Sequence, residues 1–453
     1  MIKKGESVEL EITDLAFGGV GVAKIKTDEG ELAVFVERCV PGDKVSARFT
    51  KIKKQYAEAR LEKMVTPSKD RIAPRCKHFG VCGGCSLQFL SYENQLKWKQ
   101  KMVVDALERI GGIKDIAVDA ILGCESPWFY RNKMEYSFGS DATLGLHPSK
   151  NYKEVFDLEE CFLESPRSVE IALAVEKWAK EKHLSGFDPR SGKGMLKNLV
   201  VREGKNTDEI MVNLVTAGED FPLEKDFANL VTEKFPEVTS CYRTAVTVRR
   251  GYRTVVQEFL LSGKPALMET LTVQNITLRF EIHPQAFFQP NTKQAQILYG
   301  KILEFAQSKS DETALDLFCG TGTIGIFLAK TGCRVTGIEL SKDAIENALA
   351  NARTNGIENI EFLCGDIEKF LLTAPKTSLL ITDPPRAGIA QKSLEKIIAL
   401  KIPKWIYVSC NPATLARDLK IICETGGYRL KKVQPVDMFP HTYHIETVCL
   451  LEC

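Results

Sequence analysis

Long hydrophobic runs are what this chain of 453 residues most plainly lacks. No segment approaches the ~20 apolar residues that a spanning helix requires, which argues against an integral helical membrane protein. The opening residues, M-I-K-K-G-E-S-V-E-L, are charged and have no apolar core of the secretory-signal kind. An excess of one charge is missing too. The formal net charge is +2, so the protein as a whole is not a polycation. Neither a low-complexity tract nor an internal repeat interrupts the sequence. With 44% hydrophobic and 26% charged residues, the expectation is an ordinary soluble protein with ample core. The length suggests about three domains. Cysteine, by contrast, is plentiful. Fourteen cysteines without a signal sequence point to a reducing cytoplasm, where clustered thiols serve as metal ligands or catalysts rather than disulfides.

Residues 1–66 alternate over short runs. Val8–Ile12 has the period of two of a half-buried strand, and Leu32–Val36, Lys44–Thr50 and Ala57–Leu61 continue it. Glycines in A-F-G-G-V-G-V-A (Ala16–Ala23) mark a turn or bulge, and Pro41-Gly42-Asp43 a turn. Five short strands here predict a small barrel of the OB kind. Lys51, Lys53 and Lys54 beside Tyr56 suit RNA contact. From Lys51 to Asp105 there are 12 Lys and Arg against 5 Asp and Glu, a local +7 that fits a solvated face or a phosphate-binding patch. The G-x-G-x-A-K pattern at Gly19–Lys24 and the V-P-G-D turn at Val40–Asp43 resemble the TRAM domain, a small RNA-binding barrel attached to RNA-modifying enzymes.

Residues 67–284 read as a mixed α+β domain that opens on a cysteine cluster. Cys76, Cys82 and Cys85 form C-x5-C-x2-C, and Gly83-Gly84 lets the loop fold back so that several sulfurs face one centre. A closed four-sulfur site needs one more thiolate, and Cys161 in L-E-E-C-F is the candidate. Spacing alone does not choose between zinc and an iron–sulfur cluster. His78 in the same loop is expected to be solvated. A helix over Gln95–Ile110, within a helical stretch at about 92–111, is expected to pack on the C-terminal domain, and a second helix covers Pro166–Glu181. Tyr130–Phe138 alternates basic and aromatic residues, which makes Arg131, Asn132 and Lys133 candidate RNA contacts.

From residue 285 to 453, strands and helices alternate as in a doubly wound α/β sheet, whose ligands bind at the carboxyl ends of the strands. Gly320, Gly322 and Gly325 form G-x-G-x-x-G after the strand Thr313–Cys319, and Glu339 closes the next strand nineteen residues after Gly320. An acid at that distance hydrogen-bonds ribose hydroxyls. NAD enzymes share the pattern, so an oxidoreductase is one rival reading. The context D-L-F-C-G-T-G points instead to class I methyltransferases, in which Asp366 of C-G-D-I would sit by the adenine. Asp383-Pro384-Pro385-Arg386 resembles the D-P-P of methyltransferases acting on nucleic acids or amides. It lacks the aromatic that amine methylation places after the prolines, and it lacks the cysteine of cytosine-carbon enzymes. A cysteine comes one strand later, in W-I-Y-V-S-C-N-P. Cys410 stands where a buried strand meets a helix N-terminus, with Pro412 in the first turn, so a lowered thiol pKa and a nucleophilic role are expected. Glu446, in D-M-F-P-H-T-Y-H-I-E, is a carboxylate beside an apolar segment and can serve as a base.

Together these motifs, with Phe288-Gln289-Pro290-Asn291 and V-S-C-N-P-A-T-L-A-R-D, closely resemble the RNA uracil-5-methyltransferase family. The resemblance implies that Gln289, Phe318, Thr323, Glu339, Asp366 and Asp383 line an S-adenosylmethionine site. It implies Cys410 as nucleophile and Glu446 as base. Thr323 departs from the Asn that related members often carry. The TRAM barrel and cysteine cluster together tilt the resemblance toward the 23S rRNA branch with its [4Fe-4S] cluster. Zinc stays the alternative metal and tRNA the alternative substrate. The expected protein is a monomer that binds RNA and no membrane. A non-catalytic RNA-binding or ribosome-assembly factor is the second rival.

Overall fold

The structure is a computed structural model that describes residues 2–28, 30–248, 251–252, 254–372 and 375–453. No helix among the described residues is long and apolar enough to cross a membrane.

Near the N-terminus, six strands between Ser7 and Thr66 form one mostly antiparallel sheet. Their alternation buries Leu10, Val34, Val36, Val45, Ala47 and Phe49 in a small core of its own. The glycine-rich stretch supplies two strands, Asp14–Ala16 and Val20–Thr27, rather than one. The turn between them uses positive φ at Gly18 and Gly19, a conformation open to glycine at little cost.

A seven-stranded sheet follows, running in order through Val255–Gly263, Val238–Thr247, Ile210–Ala217, Leu196–Glu203, Lys133–Phe138, Leu144–Leu146 and Phe156–Asp157. Helix Pro166–Glu181 starts where Ser165 accepts a hydrogen bond from the Ser168 amide and Pro166 fills the first turn. This helix and helix Glu224–Lys234 share one core with the sheet. The hairpin of Leu267–Val273 and Ile276–Ile282 precedes residue 285, yet it buries Leu267, Leu271, Leu278 and Phe280 in the C-terminal core.

The third sheet has strands β1 (Thr313–Leu317), β2 (Arg334–Glu339), β3 (Ile360–Cys364), β4 (Leu379–Thr382), β5 (Lys404–Ser409), β6 (Arg429–Val436) and β7 (Glu446–Glu452). Their order is β3-β2-β1-β4-β5-β7-β6, with β7 antiparallel to both neighbours. Strand order reverses between β1 and β4, where such sheets open a crevice at the carboxyl ends. Central β5 is buried on both faces. Ile406 and Val408 join the core beneath helix Thr292–Ala306. Trp405 and Tyr407 join the opposite core, with Leu415 and Leu419 of helix Pro412–Gly426.

Helix Tyr92–Arg109 buries Met102, Val103, Ala106 and Leu107 in that same opposite core. It begins earlier than its hydrophobic period suggests, because Ser91 caps it by accepting from the Asn94 amide.

Candidate active site

A cavity of about 1500 Å³ opens at the carboxyl ends of β1–β5. Gln289, Phe318, Thr323, Glu339, Asp366, Asp383, Cys410 and Glu446 all line it. Three of these side chains stand on regular elements and five on loops or turns, so segments far apart in sequence bring every candidate cofactor and catalytic residue to one space.

The corner after β5 is built by its own side chains. Asn411 caps helix Pro412–Gly426, its Oδ1 accepting from the Ala413 amide at 3.0 Å. The Asn411 Nδ2 donates to the carbonyl of Arg386 at 3.1 Å, and Thr414 Oγ1 donates to the same oxygen at 3.2 Å. Buried Asp418 accepts from the Ile389 amide at 2.9 Å and from the Tyr407 hydroxyl at 2.6 Å. The D-P-P-R loop and the Cys410 corner are thus one rigid piece. Across the sheet, Ser409 pairs with Thr447 in the antiparallel register. Cys410 directly follows Ser409 and Glu446 directly precedes Thr447, and the Glu446 charge acts on the Cys410 thiol.

At the other end of the cavity, β1 leads into a turn with positive φ at Phe318, Gly320 and Gly322. For Phe318 this is a rare backbone state of the kind that gathers at binding sites. A Cβ on Gly322 would stand 2.5 Å from Phe362 Cζ, so only glycine fits there. Glu339 points back to this turn. Its Oε2 accepts from the Gly320 amide at 3.3 Å, and its Oε1 accepts from the Leu340 and Ser341 amides at 2.8 and 3.0 Å. Asp366 is exposed and caps the short helix Ile367–Phe370, accepting from the Glu368 amide at 2.8 Å. The backbone at Gln289 is clamped from the seven-stranded sheet: Asn132 Nδ2 donates to the Gln289 carbonyl and to Thr292 Oγ1, each at 2.9 Å. Asn132 is 5% exposed, so it is a strut and not the RNA contact expected of it. Arg131 does line the cavity.

Buried acids dominate the electrostatics. Burial, reinforced by Asp383, holds the Glu446 carboxyl well above the usual range, with Arg386 opposing. Burial pushes Asp383 up to about 6 and Asp316, behind the turn, up to about 8. Two carboxyl groups this close cannot both ionise at low cost. The expected lowering of the Cys410 thiol is not found. Burial, then Glu446 and Asp383, push it up to about 11, while Arg386 pulls it down. In the free site these outweigh the helix N-terminus.

Residues 437–446 are held from outside the sheet. Lys99 Nζ donates to Asp437 Oδ1 at 2.6 Å and to the Phe439 carbonyl at 3.0 Å, and both side chains of the ion pair are 0% exposed. The Tyr92 hydroxyl donates to Asp437 Oδ2 at 2.8 Å. His441 stacks on Trp128 at 3.6 Å and exchanges hydrogen bonds with Gln95 through its backbone N–H and ring Nδ1. It is structural, whereas His444 lines the cavity. Lys99 and Gln95 escape a sequence reading, and Asn132 is misread by it, because all three act across more than 150 residues.

The cysteine loop folds against the chain around Cys161. The Lys77 amide donates to Glu160 Oε1 at 2.8 Å, and His78 is engaged rather than solvated, its Nε2 accepting from the Glu159 amide at 3.1 Å. Burial pushes Cys85 and Cys161 up to about 12, and the charges of Cys161, Cys82 and Cys76 add to the rise at Cys85. The four thiols are thus near enough to influence one another's charge. As they stand, no group of three or more His, Cys, Asp or Glu among the described residues is drawn together tightly enough to hold a metal ion. The loop is also tied to the connection that carries His444 and Glu446, since the Ser86 and Leu87 amides donate to the His441 carbonyl at 2.9 and 3.0 Å.

Known proteins resemble this chain in family and fold. A family model described as tRNA (Uracil-5-)-methyltransferase matches residues 251–453, and one described as TRAM domain matches residues 3–61. An uncharacterised RNA methyltransferase of Halalkalibacterium halodurans is 38% identical over 100% of this chain and 98% of its own. One from Chlorobaculum tepidum is 36% identical over 99% and 97%. Among solved structures, the tRNA (uracil-54, C5)-methyltransferase of Pyrococcus abyssi, in complex with S-adenosyl-L-homocysteine, matches with a TM-score of 0.76. It is 28% identical and covers 98% of this chain and 100% of its own.

Proposed function

The chain belongs to the RNA uracil-5-methyltransferase family, which is S-adenosylmethionine-dependent, and on that premise we propose that it methylates carbon 5 of a specific uridine in 23S rRNA through a covalent Cys410–uracil adduct. One observation carries this reading: Cys410 and Glu446, each next to the Ser409–Thr447 rung of β5 and β7, line one cavity whose far end is a glycine turn and a ribose-type acid.

Carbon 5 of uracil is a weak nucleophile. Attack of the Cys410 thiolate on carbon 6 makes an enolate, and its carbon 5 takes the methyl group from the sulfonium donor. Glu446, as carboxylate, then removes the proton from carbon 5, and elimination breaks the sulfur–carbon 6 bond to return the thiolate. One hard substitution becomes several easier steps. Arg386 favours the thiolate in this scheme, since its charge already opposes the rise at Cys410. Gln289, Phe318, Thr323, Glu339, Asp366 and Asp383 would hold the donor. The target base must leave its stack to reach Cys410.

By donor type, and because the charges of Cys76, Cys82 and Cys161 all act on Cys85, we assign Cys76, Cys82, Cys85 and Cys161 to a [4Fe-4S] cluster, with zinc as the alternative, although the sulfurs as they stand are not drawn into a closed metal site among the described residues. Such a group would staple the loop at Cys76–Cys85 to the chain around Cys161. A brown protein as purified is expected, and a colourless one with stoichiometric zinc would refute iron.

A tRNA substrate is the second reading. The P. abyssi structure favours it, because a tRNA enzyme matches this chain over 98% of its length, barrel included. Transfer of radiolabelled methyl to unmodified 23S rRNA and tRNA separates the two. Label in rRNA as 5-methyluridine, absent with Cys410→Ser, supports the proposal. Label in tRNA alone moves the assignment to tRNA, and label in neither overturns it.

A further inference from the structure

A row of four rings runs from the N-terminal barrel into the cavity, and the proposed chemistry uses none of them. Phe17, in the glycine turn of the barrel, meets Tyr443 edge-on at 5.2 Å. Tyr443 packs on His444 at 4.2 Å, and His444 on Phe439 at 5.8 Å. His444 and Phe439 line the same cavity as Cys410 and Glu446. All four rings are half-buried, so each keeps part of its surface open. Phe49 in the barrel core, by contrast, is 1% exposed. At the inner end, the exposed Arg386 brings its guanidinium to 3.4 Å from His444 Nε2. Burial and the neighbouring cations Arg386, Lys99 and Arg131 hold His444 down to about 4, so the ring is a neutral surface at physiological pH.

Half-open rings in successive contact with a cation beside them resemble the stacking platform of single-strand binding, where each base offers a flat face and each linkage a phosphate. Bases inside a duplex have both faces covered, and the major groove of an RNA helix is too narrow for side chains to enter. We propose that Phe17, Tyr443, His444 and Phe439 form a stacking track for unpaired nucleotides flanking the target uridine, with Arg386 meeting a phosphate. The substrate segment is then a loop, or a helix opened over those nucleotides. This rests on the RNA-methyltransferase reading above and adds which form of RNA is taken and what grips it. The barrel turn and the catalytic strand pair read one continuous strand, which explains why Phe17 reaches residues just before Glu446.

The test measures Kd, KM and kcat on a single-stranded RNA carrying the target uridine and on the same sequence as a blunt duplex, over a range of salt. Tyr443→Leu keeps apolar bulk and removes the ring, whereas Tyr443→Phe keeps the ring. Phe17→Leu repeats the test on a separate element. Each Leu variant is expected to weaken single-strand binding about tenfold. That loss should appear in KM and not in kcat, and leave the slope of binding against salt unchanged, since no phosphate contact is lost. Tyr443→Phe should bind as wild type, and the duplex should bind poorly to all. Wild-type affinity in both Leu variants, equal loss in Tyr443→Phe, or a duplex bound as tightly as the single strand would overturn the track. Should the wild type methylate no RNA at all, the functional reading fails instead.

Discussion

Cys410 and Glu446 each stand next to the Ser409–Thr447 rung of the antiparallel β5–β7 pair, and the Glu446 charge acts on the Cys410 thiol. Strand register therefore sets the separation of the two groups. A side chain on a mobile loop would give no such constraint, and a slip of one residue would turn Glu446 to the other face of the sheet.

That pairing fixes how the thiol titrates. Burial raises Cys410, and the Glu446 and Asp383 charges raise it further, to about 11. Alkylation of Cys410 by iodoacetamide in the free enzyme should therefore be slow at neutral pH and climb as pH rises toward 11. Glu446→Gln removes a negative neighbour and should move the alkylation profile to lower pH. Arg386→Ala removes the opposing cation and should move it to higher pH. Mass spectrometry of the Cys410 peptide follows both, and shifts of the opposite sign would contradict the arrangement.

The Lys99–Asp437 pair anchors the connection that carries His444 and Glu446, and neither side chain reaches solvent. Lys99→Met strands a buried carboxylate and should cost about 3–5 kcal/mol. Adding Asp437→Leu should return part of that loss. Urea unfolding of the single and double variants measures both, and a single variant as stable as wild type would rule out an anchoring role.

His441 predicts acid sensitivity. Burial, with Lys99 and Arg75 nearby, holds its imidazole down to about 3, so the folded protein keeps it neutral. An unfolded chain protonates it near 6.5. Below that pH the unfolded state binds the extra proton, so stability is full above 6.5 and drains by about 1.4 kcal/mol per pH unit as pH falls toward 3. Thermal melts between pH 7.5 and 4.5 should show a shallower decline for His441→Phe, which keeps the stack on Trp128, than for wild type. Parallel declines would contradict this.

Much of the C-terminal sheet was legible because its signals are local. The glycine turn, Glu339, D-P-P-R and S-C-N-P each sit at the end of a short apolar run, and helix Pro166–Glu181 was legible to the residue from its serine cap and proline. Long-range effects were not legible. Burial and two carboxylates from other strands reversed the expected direction at Cys410. Alternation made Asn132 look like part of an RNA face, when its amide in fact holds Gln289 from the neighbouring sheet. The hairpin Leu267–Val273 and Ile276–Ile282 has an ordinary period of two, which does not say which core it fills.

The central claim is that Cys410 bonds to the uracil and Glu446 releases it. Glu446→Gln, incubated with substrate RNA and the methyl donor, tests this most directly. The account predicts a protein–RNA adduct that survives denaturing gel electrophoresis, and a digest that places a methylated nucleotide on the Cys410 peptide. Rapid release of 5-methyluridine product by Glu446→Gln, or an adduct on any other residue, would contradict it.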